Sequence, residues 1–169
     1  MDTQSYEYDL SVHVARRIRA EPYRCWRNAV VAIVLFPELF GHGCYVEGWI
    51  VLLGETSVEI VEHGWSASGE KIVDPSLVLV KKRGQPTFYF PGLVLPSALL
   101  VQSLQGKTLP LVCHSTYGED GMGHRAYKNA YERAWQRAQD LAREQQFPET
   151  AILVSRRNTQ CRGVTVIDY

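Results

Sequence analysis

A cysteine, a histidine and an aspartate in the first half of the chain have side chains that could act together. Cys25, His63 and Asp74 supply a thiol, an imidazole and a carboxylate, which are the groups of a nucleophile, a general base and a residue that orients the base. Such a set attacks an acyl carbonyl through a thiolate and forms a thioester. The chemistry therefore depends on whether the elements that carry these residues bring them together.

Cys25 lies near the start of a helix that is predicted to run to about Leu35, just before Pro37. Unpaired backbone N–H groups and the helix dipole stabilise a thiolate at this position. A free cysteine is more often only a small buried apolar residue, so Cys25 alone does not indicate catalysis. Small or short side chains recur on its face of the helix and allow close approach to a sheet: Cys25, Asn28, Ala29 and Ala32.

A three-stranded antiparallel meander is predicted after this helix, with strands at Cys44–Leu53, Val58–Ser66 and Lys71–Val73. His63 lies on the second strand and Asp74 at the end of the third. The turn between these two strands brings them side by side, so the carboxylate can accept the second N–H of the imidazole. Alone, each residue is more typical of a solvated histidine or an Asp-Pro turn.

Strand alternation places His63 and Trp65 on one face, with Glu62 and Gly64 on the other. We expect the face with His63 to meet the helix that carries Cys25, because the imidazole could then act as a base for the thiol. The order, element type and spacing of the three residues agree, which favours the joint interpretation over the three separate ones.

These blocks resemble the transglutaminase-like superfamily, in which a cysteine heads a helix and Tyr-Val-x-Gly, His-Ala-Trp and Asp-Pro-Thr segments follow. The corresponding segments here are Tyr45-Val46-Glu47-Gly48, His63-Gly64-Trp65 and Asp74-Pro75-Ser76. The resemblance covers roughly residues 22–77. It implies Cys25 as nucleophile, His63 as base and Asp74 as orienting residue, in the same chain order as papain-like enzymes, with no cofactor. Two departures are Tyr23-Arg24, where the family often has glycine, and Gly64, where it has alanine.

The backbone N–H of Cys25 is the natural first donor to the oxyanion that forms during attack. The second donor is left open by the sequence. Candidates for this donor and for the walls of the cleft are Trp26, Asn28, Tyr45, Glu47 and Trp65.

The fold predicted for residues 1–169 is one α+β domain: N-terminal helices, one headed by Cys25, packed on an antiparallel sheet in a papain/transglutaminase-like core, with a C-terminal helix. The core spans about 22–80 and a C-terminal extension about 106–169. Further helices are predicted at Tyr6–Ala20, Pro96–Leu104 and His124–Gln146. Further strands are predicted at Leu77–Val80, Leu109–His114, Ala151–Ser155 and Gly163–Ile167, and a turn at Pro91-Gly92 is expected to close the aromatic segment before it.

Composition excludes some classes of function. Lys+Arg and Asp+Glu number 18 each, and this balance argues against a nucleic-acid binder that depends on phosphate neutralisation. No apolar run is long enough to span a membrane, and no apolar signal segment follows the polar N-terminus, so a cytoplasmic protein is expected. The four cysteines form no CxxC pair, and no metal site is expected. His114 and His124 lack a nearby cluster of further ligands.

The function favoured by these patterns is a thiol hydrolase or acyl transferase: a peptidase, amidase, deamidase or crosslinking enzyme that acts on a peptide, protein or small amide. One alternative is a non-catalytic module that binds a peptide or ligand on the same fold. Another is an interaction protein of phage or plasmid type, which docks a partner on the helix at 126–146. A broad exposed apolar face on that helix would favour this alternative, and a buried face would argue against it.

Overall fold

The computed structural model of the chain describes residues 5–105 and 125–155, and in these ranges the fold is α+β. The helices are α1 (Tyr8–Arg17), α2 (Cys25–Leu35), α3 (Pro37–Phe40), α4 (Ser97–Gln105) and α5 (Arg125–Glu144). The strands are β1 (Ser5–Tyr6), β2 (Cys44–Leu53), β3 (Val58–Ser68), β4 (Lys71–Val73), β5 (Thr87–Pro96) and β6 (Ile152–Ser155). Short 3-10 helices lie at Leu77–Leu79 and Glu149–Ala151.

The strands of the described ranges form one sheet in the order β1-β4-β3-β2-β5, with β6 also paired to β3. The predicted meander is present, since β2 pairs antiparallel with β3 and β3 with β4. The expectation of a purely antiparallel sheet is wrong, because β1 pairs parallel with β4 and β6 pairs parallel with β3. β1 and β6 each lie far along the chain from the strand they pair with, because two parallel strands can be joined only by a long crossover connection.

The outer edge of β3 is covered by two different strands that leave a gap between them. β4 pairs with Ser66–Ser68, and β6 pairs with Val58–Val61. On this side, residues 62–65 have no strand partner among the described residues. His63 lies in this gap, and its β2 partner on the other side is Gly48.

Two helices, α2 and α5, cover one face of the sheet. The Ser66 hydroxyl donates a hydrogen bond of 3.1 Å to the carbonyl of Ala29 in α2. The Trp49 ring lies 5.9 Å from that of Tyr127 in α5. One apolar cluster therefore forms under α2 with α1, α3 and α4, and a second forms under α5. A third lies on the other face of the sheet.

Two local predictions are wrong. Leu77–Leu79 is a 3-10 helix rather than a strand, because Asp74 Oδ1 accepts the N–H groups of Ser76 and Leu77 and turns the chain. Pro91-Gly92 does not end the aromatic segment, since β5 continues through it with a bulge: Gly48 pairs with Pro91 and Glu47 with Leu93. Proline is tolerated there because β5 pairs with no other strand in the described part of the chain.

The predicted C-terminal helix is present, and its apolar face is buried against the sheet: Tyr127, Ala130, Ala134, Ala138, Leu141 and Ala142. This face is therefore not available as a broad docking surface. No helix in the described ranges is long and apolar enough to cross a bilayer. The predicted strands Leu109–His114 and Gly163–Ile167 lie outside the described residues.

Candidate active site

The His63 and Asp74 side chains form a short buried hydrogen bond. His63 Nε2 lies 2.7 Å from Asp74 Oδ2, and the two side chains are 2% and 0% exposed. The other carboxylate oxygen accepts the N–H groups of Ser76 at 3.1 Å and Leu77 at 2.9 Å. The backbone N–H of Asp74 donates to Ser11 Oγ of α1. These bonds fix the carboxylate in position.

Cys25 is the first residue of α2 and is fully buried beside the His63 imidazole. Burial alone would lower the pKa of His63, but electrostatic and hydrogen-bond interactions with Asp74 and Cys25 outweigh it and raise the pKa to about 10. His63 Nδ1 makes no hydrogen bond of standard geometry with the described residues. The contact with Cys25 is thus looser than the bond to Asp74, and the imidazole lies between an acid and a thiol.

The prediction that α2 packs on the face of β3 that carries His63 is wrong. The helix α2 lies over Gly64 and Ser66, whereas His63 and Trp65 point to the opposite face. Thiol and imidazole nevertheless interact. The gap at residues 62–65 accounts for this, because no strand of the described chain separates the start of α2 from the edge of β3 there.

The N-terminus of α2 provides an electrostatic environment that favours an anion. Its N-cap residue, Arg24, makes no side-chain capping hydrogen bond, and the first turn contains no acidic residue. The first N–H groups of a helix lack intrahelical partners and carry partial positive charge. A thiolate at Cys25, or an oxyanion formed next to it, would be stabilised by these groups.

Asn28, a candidate for the second oxyanion donor, uses its amide to hold neighbouring segments together. Nδ2 donates to the Glu21 carbonyl and to Ser76 Oγ, both at 2.8 Å, and Oδ1 accepts the Glu21 N–H at 3.2 Å. Both amide protons are therefore engaged. Asn28 fixes α2 to the segment that follows Asp74 and so sets the position of the helix relative to the carboxylate.

A polar seam lies between the two apolar clusters under α2 and α5. It consists of Glu47, Glu62, Tyr45 and Tyr127. Tyr45 donates to Glu47 Oε1 at 2.6 Å, and Tyr127 donates to Glu62 Oε1 at 2.7 Å. Burial raises the pKa of Tyr127, and the charges of Glu62, Glu47 and Cys25 raise it further. The seam therefore lies within electrostatic range of Cys25.

Trp26, the residue after Cys25, carries a buried N–H donor, the indole Nε1, that has no hydrogen-bond partner among the described residues. The ring lies against Gly64, whose Cβ, if present, would be 3.2 Å from Nε1. Trp65 Nε1 is likewise buried without a hydrogen bond among the described residues, but its ring packs on the other face of the sheet, so Trp26 is the candidate of this kind on the face that α2 covers.

An aromatic group lies next to the imidazole, on the face of the sheet that α2 and α5 do not cover. It consists of Trp65, Tyr89 and Tyr6. The Trp65 ring stacks on that of His63 with centroids 6.4 Å apart, and Tyr89 meets Trp65 edge-on at 5.1 Å. Tyr6 lies 6.0 Å from Tyr89. The Trp65 ring therefore lies beside the imidazole.

Tyr89, Glu62, Ser11 and Tyr127 were not identified from the sequence as part of the site. Tyr89 contacts Asp74 from a strand that is not adjacent to it in the sheet. Alternation along Thr87–Pro96 could have shown which face Tyr89 occupies, but not its partner. Glu62 could have been noted as a carboxylate in a buried strand.

The described residues contain no group of three or more histidine, cysteine, aspartate or glutamate side chains that could hold a metal ion. His114 and His124 lie outside these residues. The chain matches no protein-family model, and searches of curated proteins and of solved structures found no match either. The case for a function therefore depends on the site geometry and on the resemblance of its short motifs.

Proposed function

We propose that the chain is a cysteine-nucleophile enzyme with a papain/transglutaminase-like core, which acts on an amide or other acyl bond through a thioester. The observation that carries this proposal is the position of the buried His63 imidazole, between the Asp74 carboxylate and the Cys25 thiol. The helix N-terminus at Cys25 supports it, because it stabilises the negative charge that the reaction needs.

The proposed reaction starts from a Cys25 thiolate and a His63 imidazolium, since the imidazole, whose pKa is raised to about 10, holds the proton that the thiol has given up. The sulfur attacks the carbonyl carbon, a C–S bond forms, and the carbonyl π electrons move to the oxygen. The backbone N–H of Cys25 and Nε1 of Trp26 are the proposed donors to this oxyanion. When the intermediate collapses, the C–N bond breaks and the imidazolium gives its proton to the leaving amine.

Water completes the cycle in a hydrolase. His63 takes a proton from the water as it attacks the thioester, the C–S bond breaks, and the thiolate is regenerated. An amine in place of water gives acyl transfer by the same steps.

The pH dependence of iodoacetamide alkylation, followed at each cysteine by mass spectrometry, tests the proposal. Cys25 is buried, so its rate at each pH is divided by its plateau rate, which removes any constant cost of access. We expect the normalised profile of Cys25 to lie well below the ordinary thiol pKa of about 8.5. Cys44 provides an internal comparison, because burial raises its pKa.

His63→Ala should move the Cys25 profile upward, and replacement of the exposed His42 by alanine should leave it unchanged. A Cys25 profile that matches that of Cys44, or that does not respond to His63→Ala, would contradict the proposal.

The second candidate function is a non-catalytic binding module, and one specific observation favours it. Cys25, His63 and Asp74 are all almost completely buried, as expected of a polar network that stabilises a fold. In such a module the triad would affect stability but not thiol reactivity. The alkylation experiment separates the two functions, because only the enzyme requires a thiolate at neutral pH.

A further inference from the structure

The Asp74 carboxylate has a second side-chain donor that competes with His63. Tyr89 donates a hydrogen bond of 3.2 Å to Oδ2, the oxygen that lies 2.7 Å from His63 Nε2. The two donors come from different strands, β5 and β3, which are separated in the sheet by β2. A single oxygen thus links the imidazole to the phenol of the half-buried Tyr89.

We propose that Tyr89 is a positioning residue of the triad, whose hydroxyl shares Oδ2 of Asp74 with His63 and limits how strongly the carboxylate holds the imidazolium. A donor to a carboxylate stabilises its negative charge and makes it a weaker base. The imidazolium is then a better acid towards a leaving group. The catalytic meaning of this inference rests on the proposed function, but the coupling between the three side chains does not.

The hydroxyl of Tyr89 stays protonated under ordinary conditions. Burial raises its pKa well above 10, and the negative charges of Asp74 and Tyr6 raise it further. The phenol therefore acts as a donor over the whole range in which His63 and Cys25 titrate. It does not itself exchange the proton that the reaction moves.

Three further ionisable groups surround the His63–Asp74 pair. Cys25 faces it from α2, Tyr6 from β1, and Lys81 from the segment after the 3-10 helix. Lys81 donates to Thr87 Oγ1 at 2.6 Å and lies over the Tyr6 ring, so its charge acts on Asp74 only from a distance. Tyr89 is the phenol with a direct hydrogen bond to the carboxylate among the described residues.

Tyr6 offers a matched control. It belongs to the same aromatic group, and its hydroxyl is also buried, but it makes no hydrogen bond of standard geometry with the described residues. Tyr6→Phe and Tyr89→Phe each remove one buried hydroxyl and keep the ring. A change seen only in the second variant therefore reports on the bond to Asp74 and not on aromatic packing.

The experiment is an NMR titration of ¹³C-labelled histidine in the wild type and in both variants. Tyr89→Phe should raise the pKa of His63 by about half a pH unit, the size expected for loss of one hydrogen bond. Tyr6→Phe should not change it. No change or a decrease in Tyr89→Phe, or the same increase in both variants, would overturn the inference.

A second variant protects the test against misfolding. Site-specific 3,5-difluorotyrosine at position 89 keeps the shape of the residue and is a stronger donor, so it should lower the pKa of His63. If it has no effect or raises the pKa, the inference fails. If the wild-type Cys25 shows no shifted alkylation profile, the proposed function fails, and the titration still decides whether Tyr89 acts on His63 through Asp74.

Discussion

The indole ring of Trp26 lies so close to Gly64 that a Cβ at residue 64 would be 2.7 Å from Cδ1 and 3.2 Å from Nε1 of the ring. This contact joins the residue after Cys25 to the residue after His63. It places α2 against β3 at the point where the thiol meets the imidazole. The transglutaminase-like superfamily, which the short motifs of this chain resemble, has alanine at this position. The size of the Trp26 ring explains why residue 64 is glycine here.

Gly64→Ala should destabilise the protein by about 1–3 kcal/mol, because the buried ring or the helix must shift to admit the methyl group. Urea unfolding measures this change. In a Trp26→Ala background, which removes the ring, the same substitution should cost clearly less. Equal costs in the two backgrounds would show that the ring contact is not the cause.

Asp74→Asn should lower the pKa of His63 strongly, because burial then acts without the larger of the two opposing charges. Cys25→Ala should lower it by a smaller amount, since Asp74 contributes more than Cys25. Histidine NMR titrations of the two variants test this order. A larger drop in Cys25→Ala would mean that the thiolate, not the carboxylate, dominates the charge on the imidazole.

The stability of the protein should depend on pH through His63. Its pKa in the folded state is about 10, above the ordinary value of 6.5, so protonation favours the folded state. This contribution is complete below pH 6.5 and is lost as the pH rises to about 10. His63→Gln should remove that part of the slope in urea unfolding measured across this range, while His42→Gln, at an exposed site, should not.

Asn28→Ala should cost about 2–3 kcal/mol in unfolding free energy, because it leaves the buried Ser76 hydroxyl and the part-buried backbone of Glu21 without their hydrogen bonds. Ser76→Ala removes one of these bonds and should cost less. Asn28→Ala should also shift the pKa of His63, since α2 is then free to move relative to Asp74. An unchanged His63 titration would show that Asn28 supports the loop without positioning the thiol.

Local patterns predicted much of the fold. The bounds of β2 and β4 follow from strand residues that end at turn residues, and α2 is limited by prolines on both sides. Periodicity shows which residues share a face but not which face a helix covers, so the environment of His63 was predicted wrongly. The Pro91-Gly92 dipeptide is typical of a turn, yet pairing with β2 on one side and packing of Tyr127 on Gly92 keep β5 extended.

Contacts between distant segments were beyond the sequence. Cys25, His63 and Asp74 could be grouped because helix, strand and hairpin follow one another within 50 residues. Tyr89 of β5 donates to Asp74 although β2 and β3 lie between β5 and β4 in the sheet. The strand β6 pairs with β3 although it follows α5 in the chain. No local pattern encodes these distances, because they depend on how the whole sheet is assembled.

The separation of the two apolar clusters has a consequence for splitting the chain. Cys25, His63 and Asp74 all lie before residue 75, but α5 covers the half of the sheet that contains Trp49, Val51 and Ile60. A fragment that ends at Gln105 would keep every reactive group and expose this apolar surface. We expect it to recover native thiol chemistry only when a separate peptide that contains α5 is added, so the chain should behave as a split protein.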